Sequence, residues 1–342
     1  MRYDNERAMK LLKCNSIVLV SLLATSVGFA GSFVACAKSS EDPAPADDGG
    51  IDAAEDVSAD TEPSGPSNHE LTVSTCDDDR QANEVGKVMH RTIKTNGESR
   101  SFELFRPAGA KCGQKSGLLV LLHPKHTTAE VGSQPAGAFY LNASMMQDHA
   151  TSGNFIVVAP NALKSGSDYV WSLENKKDAE FIRDLAEAVG LKEPVDTKKI
   201  HVIGYGEGGQ MAMQVGCDHA SIFASTGSIA GGMAASTKAS CNPSESISAL
   251  QIHVINKDAV FPYAGDDSTA SFVDTRSFWV DKNGCATSSN KDLGGAAQVT
   301  YTACGGKQGL VHQTIVISSG DHKTAEEYVE YVDDFIALSR KQ

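Results

Sequence analysis

Near the middle of the chain, Gly204-Tyr205-Gly206-Glu207-Gly208-Gly209 has residue types and spacing that bear on chemistry. A strand-like run from Lys199 to Ile203 leads in and a helix-like run from Gln210 to Val215 leads out. A strand, a sharp turn and a helix in that order present a nucleophile to a substrate carbonyl. The turn holds its central residue in a strained conformation so that a serine oxygen stands clear of the sheet. Here the centre is Gly206, which adopts that conformation freely and offers no oxygen.

The same glycines, Gly204, Gly206 and Gly209, also spell G-x-G-x-x-G between a strand and a helix, the pattern that cradles a dinucleotide pyrophosphate. Against it, the next strand-like segment, Ile222 to Ile229, ends without the acidic residue that would hold a ribose. No cofactor is therefore expected. His123 and His126 make an H-x-x-H that suggests a metal, but no third ligand accompanies them, so a pair of loop histidines is favoured and no metal is expected.

Before these motifs can act, the chain must reach its compartment. Arg7, Lys10 and Lys13 precede an apolar stretch from Ile17 to Ala35, the layout of an export signal over residues 1–35. Met9-Lys10-Leu11-Leu12-Lys13 makes a more ordinary start for such a signal than the acidic Asp4 and Glu6. The stretch ends Phe33-Val34-Ala35-Cys36, which resembles a bacterial lipobox and makes Cys36 the expected lipidation site, with an uncleaved anchor or a cleaved secretory peptide as alternatives. Residues 36–70 read as a tether. From Ser39 to Asn68 they are rich in Asp, Glu, Ala, Pro, Ser and Gly and have no Lys or Arg, so they cannot bury a core. Nine acidic residues lie between Glu41 and Glu62, so most of the net charge of −13 belongs to this segment. That balance argues against nucleic acid as a partner.

Setting aside Cys14 in the signal and Cys36, the cysteines are Cys76, Cys112, Cys217, Cys241, Cys285 and Cys304. An even number in an exported chain implies disulfides. Spacing permits many connectivities. The expected one joins neighbours in sequence: Cys76 with Cys112, Cys217 with Cys241, Cys285 with Cys304.

The elements that must position the central turn come from the apolar pattern of residues 71–342. Strand-length runs at Ser101 to Arg106, Gly117 to His123, Asn154 to Pro160, Lys199 to Gly204, Leu250 to Ile255 and Gln313 to Ser318 alternate with helical periodicity. The helices are expected over Ala138 to His149, Asp178 to Val189, Glu207 to Cys217, Ala270 to Lys282 and Ala325 to Leu338. Continuous runs such as Leu118-Leu119-Val120-Leu121-Leu122 suit strands covered on both faces, which predicts an α/β domain with a mostly parallel sheet, helices on both faces and no large lid.

From about Arg100 onward the chain resembles the secreted polyhydroxybutyrate depolymerase and feruloyl esterase group of α/β-hydrolases. The resemblance rests on Leu121-Leu122-His123, Phe155-Ile156-Val157-Val158-Ala159-Pro160, Trp171 before Asp178-Ala179-Glu180-Phe181-Ile182, and Pro194-Val195-Asp196 before the turn. It continues through Ile229-Ala230-Gly231, Asp258-Ala259-Val260-Phe261-Pro262-Tyr263, Phe278-Trp279, Asn283-Gly284-Cys285 and Gly320-Asp321-His322. It implies an α/β-hydrolase fold and a triad whose matching positions hold Gly206, Asp258 and His322. In such a triad a histidine takes and returns the nucleophile's proton while a carboxylate fixes its tautomer. Without the serine, Asp258 and His322 read equally well as a hydrogen-bonded pair supporting two loops. The group usually has His-Gly where this chain has His123-Pro124, and proline brings no N–H. Lys125 and Glu207 remain candidate backbone donors to an oxyanion. As a substitute for the serine Glu207 is disfavoured, because a carboxylate at a helix N-terminus is expected to be held ionised and stabilised, which makes a poor base and a poor nucleophile.

The resulting expectation is an exported lipoprotein, anchored to a membrane through Cys36 on its periplasmic or cell-surface side. Its esterase-like domain is expected to be a pseudoenzyme that binds an ester or polysaccharide ligand in the former cleft, with Tyr169 and Trp171 as candidate lining residues. The alternatives are an active carboxylic ester hydrolase of that group and a surface scaffold or partner-binding lipoprotein.

Overall fold

The computed structural model describes residues 83–127, 131, 134–144, 146–255, 261–318 and 328–341. The export signal, the tether, Cys36, Cys76, Asp258 and His322 lie outside the described residues. The main sheet has ten strands: β1 (Val88–Thr95), β2 (Glu98–Phe105), β3 (Ser116–Leu122), β4 (Phe155–Pro160), β5 (Val195–Tyr205), β6 (Ser225–Ile229), β7 (Ser248–Val254), β8 (Cys285–Asp292), β9 (Ala296–Cys304) and β10 (His312–Ile317). Their spatial order is β1-β2-β4-β3-β5-β6-β7-β10-β9-β8. The six strands from β4 to β10 run parallel, and β1, β2, β9 and β8 extend the sheet in antiparallel fashion.

Alternation within the buried strands divides the apolar residues between two cores. Leu118, Val120 and Leu122 of β3, with Ile156 and Val158 of β4, join one core; Leu119, Leu121, Val157 and Ala159 point the opposite way and join the other. Burial on both faces explains why these strands are continuous apolar runs in the sequence.

Among the described residues the helices are α1 (Ala136–Ala143), α2 (Met146–Gly153), α3 (Lys177–Lys192), α4 (Glu207–Asp218), α5 (Ala235–Ser240), α6 (Phe272–Asn283) and α7 (Val329–Leu338). Phe181, Ile182, Leu185 and Val189 of α3 and Met211, Ala212 and Val215 of α4 close the first core. Tyr140 and Leu141 of α1, Met146 and Ala150 of α2, and Val332, Phe335 and Ile336 of α7 close the second.

The expected helix Ala138 to His149 is two helices. Ser144 ends the first: its N–H bonds Tyr140 O at 2.9 Å and its hydroxyl donates to Leu141 O at 3.3 Å, a local bond that competes with helix continuation. Helix α6 begins two residues later than its apolar pattern suggested. Ser271 caps it, accepting the Asp274 N–H at 3.0 Å, and Gly284 at φ 58° stops it.

Strands β1, β8 and β9 were not among the expected strands. Strand β8 reads Cys-Ala-Thr-Ser-Ser-Asn-Lys-Asp and is exposed along nearly its whole length, so it has no apolar alternation to announce it. Cys217–Cys241 and Cys285–Cys304 are disulfides, as expected. The second joins directly paired residues of β8 and β9. Cys112 is disulfide-bonded as well.

Candidate active site around the glycine elbow

Strand β5 ends at Tyr205 and α4 starts at Glu207, so Gly206 alone makes the turn, at φ 55° and ψ −124°. Two backbone contacts hold it there: the Gly206 N–H donates to Ile229 O at the end of β6 (2.9 Å), and Gly206 O accepts the Gly209 N–H (2.9 Å). The other glycines of the motif let α4 approach the sheet. A Cβ on Gly204 would stand 2.1 Å from Gly208 O, one on Gly208 2.4 Å from His123 O, and one on Gly209 2.5 Å from Ser228 Oγ. Close packing of strand against helix accounts for the spacing that also spells a dinucleotide fingerprint.

Register brings Pro124 to the elbow. Strands β3 and β5 are parallel neighbours with Leu122 opposite Gly204. Two residues on, Pro124 stands beside Gly206, and a Cβ built on Gly206 would lie 3.3 Å from Pro124 Cβ and 3.7 Å from Phe261 Cε2. The elbow therefore lacks a hydroxyl and is also roofed where one would emerge. It sits outside the carboxyl ends of β3 and β5, whose following strands depart to opposite sides, the place where open α/β sheets bind ligands.

His123, at the end of β3, is fully buried. The Ala162 N–H donates to its Nε2 at 3.1 Å, so Nδ1 carries the proton and donates to Pro124 O at 2.6 Å. Burial lowers its pKa to about 3. With both nitrogens engaged, His123 ties the loops together. Its carbonyl accepts the Trp171 indole N–H at 2.8 Å.

Lys125 and Glu207, the candidate oxyanion donors, flank the turn. The Lys125 ammonium bonds Asp168 at 2.8 Å, and that bond raises its pKa. Pro124, between the strand and Lys125, supplies no N–H. The Glu207 N–H belongs to the first helical position, where the helix itself offers no acceptor.

The proton affinity of Glu207 is raised. Loss of solvent around its carboxyl raises the pKa, Lys125 opposes that, and Asp168 adds to it. Desolvation is the largest of these effects and exceeds the opposing pull of the Lys125 ammonium. Its Oε2 is buried with no hydrogen-bond partner among the described residues.

Glu207, Gln210, Phe261, Ser268 and Trp171 line a cleft of about 620 Å³ beside the elbow. Trp171 is there as expected, whereas Tyr169 lies in a short ladder with His126. Leu163, Gln210 and Ser268 carry no sequence signal for a site. They come to the cleft from a short strand (Leu163–Ser165), from α4 and from the loop before α6. Asp178, also of the lining, is held by Arg100 at 2.7 Å and by the Ser172 N–H at 2.8 Å.

A mostly parallel sheet with helices on both faces, and a strand-turn-helix elbow at its switch point, define an α/β-hydrolase fold. Solved structures agree. The chain is similar to an acetyl xylan esterase from Aspergillus awamori (14% identity, 73% of this chain and 99% of that one, TM-score 0.56). It is also similar to a thermostable esterase (14% identity, 75% of this chain and 64% of that one, TM-score 0.51). No family profile and no curated protein matches the chain.

Proposed function

We propose that this protein is an exported lipoprotein whose hydrolase-fold domain has lost ester hydrolysis and binds an ester or polysaccharide-type ligand in the cleft beside the elbow. The observation that carries the reading is Gly206: it has the backbone of a nucleophile turn, no side-chain oxygen, and Pro124 within 3.3 Å of where its Cβ would stand. Loss of a triad serine costs about a million-fold in turnover. A protein keeping the fold and the cleft without the nucleophile is suited to binding. The lipobox-like Cys36 and the acidic segment behind it support attachment to a membrane surface.

The test measures hydrolysis of p-nitrophenyl acetate and methyl ferulate by the full chain and by Gly206→Ser/Pro124→Gly. The expected result is no turnover by the wild type and turnover by the double variant that disappears with His322→Ala. Wild-type hydrolysis abolished by His322→Ala would overturn the reading.

One observation favours a second reading, hydrolysis by activated water. Glu207 is a carboxyl of raised proton affinity beside the empty nucleophile position, which suits a general base better than an ordinary surface glutamate. Wild-type turnover lost in Glu207→Gln would establish it.

A further inference from the structure

The charges around the cleft are unevenly matched. Asp178 is neutralised by Arg100, and Asp168 at the rim by Lys125. Lys164, a cation of the lining, sits 5.1 Å over the Tyr169 ring. Two carboxyls of the lining, Glu174 and Glu207, have no ion pair among the described residues. Glu207 is the deeper of them, with Oε2 out of contact with solvent and lacking a donor. A buried acceptor without a donor carries a desolvation penalty that a ligand can relieve by supplying one. A ligand carboxylate would instead bring a second negative charge to the same place.

From this we infer that Glu207 sets the ligand selectivity of the cleft, and that the cleft takes ligands carrying a cationic N–H donor, such as a primary ammonium, and rejects carboxylates. The ammonium pairs with the Glu207 carboxylate while the apolar part of the ligand rests against Trp171 and Phe261. The inference deepens the binding reading above and depends on it. It narrows a ligand defined only as ester or polysaccharide to one bearing an amine, and excludes free acids as tight ligands.

Three probes of matched size test it: 2-phenylethylammonium, 2-phenylethanol and phenylacetate, titrated against the full chain by tryptophan fluorescence. The chain has two tryptophans, and Trp279 is fully buried in the core, so Trp171 is the reporter. The ammonium is expected to bind about tenfold more tightly than the carboxylate, with the alcohol between, as suits a charge-assisted hydrogen bond. In Glu207→Gln the spread should close while the alcohol binds as before; in Glu174→Gln it should persist. Equal binding of the three probes, or a spread unchanged in Glu207→Gln, overturns the inference and leaves the cleft a binding site. Failure of every probe to bind overturns the binding reading and the inference together.

Discussion

A Cβ on Gly206 would stand 3.3 Å from the Cβ of Pro124, so the position that lacks a nucleophile is also covered by the residue that removes an N–H from the neighbouring loop. The two departures are coupled through one contact. Any side chain at residue 206 must adopt a positive φ and displace Pro124.

Gly206→Ala should therefore destabilise the protein by about 1–3 kcal/mol, the scale for a side chain forced into a sparsely populated backbone region. Pro124→Gly in the same background should recover part of the loss, because the contact goes while the backbone strain remains. Urea melts of the wild type and the single and double variants measure both quantities. Strict additivity of the two substitutions would show that the residues do not interact.

Acid should destabilise the fold through its buried histidines. His123, His201 and His312 have pKa values lowered to about 3, in each case chiefly by burial. A lowered folded-state pKa means that the unfolded chain binds the proton first. The stabilisation is complete above about pH 6.5 and is lost as pH falls from there toward 3, at about 1.4 kcal/mol per pH unit for each fully titrating histidine. His201, whose Nδ1 lies 2.8 Å from Ser225 Oγ, is the simplest to isolate. His201→Gln should flatten the fall in urea midpoint between pH 6.5 and pH 4, and an unchanged slope would contradict this assignment.

Glu207 behaves in the opposite sense. Its folded pKa is raised, mainly by desolvation, so the contribution of this group is most favourable below its unfolded value and is lost as pH rises through the folded value. Removing the charge with Glu207→Gln should raise the urea midpoint at pH 7 and change it little at pH 4. A lower midpoint at pH 7 would show that the ionised carboxylate is a net stabiliser held by Lys125.

The Cys217–Cys241 disulfide joins the last turn of α4 to the residue after α5 and spans a sequence separation of 24. Closing a loop of that length stabilises by about 3 kcal/mol in the chain-entropy account. The paired change Cys217→Ala/Cys241→Ala should lower stability by roughly that amount. Because α4 carries the elbow at its other end, the readout should include probe binding in the cleft as well as the denaturant midpoint.

Much of this architecture was legible in the sequence because it depends on local pattern. Leu118 to Leu122 and Phe155 to Pro160 are apolar at every position because both faces of their strands are covered. Gly206 announces the missing oxygen whatever the fold does around it, and Cys217–Cys241 and Cys285–Cys304 follow from nearness along the chain. Strand β8 was hidden because its exposed, polar residues carry no apolar alternation, and the break at Ser144 because it turns on one competing hydrogen bond.

Only the tertiary structure decided the rest. Pro124 meets Gly206 because β3 and β5 pair with Leu122 opposite Gly204, a register no single segment encodes. The proton affinity of Glu207 is raised chiefly by burial of its carboxyl in the packed structure, with Lys125 and Asp168 acting in opposite senses, an effect that its place at the start of a helix does not announce. The chain by itself specifies which groups are present and which is missing. Desolvation and register, which arise only when separate segments pack together, decide what those groups face and how readily they take a proton.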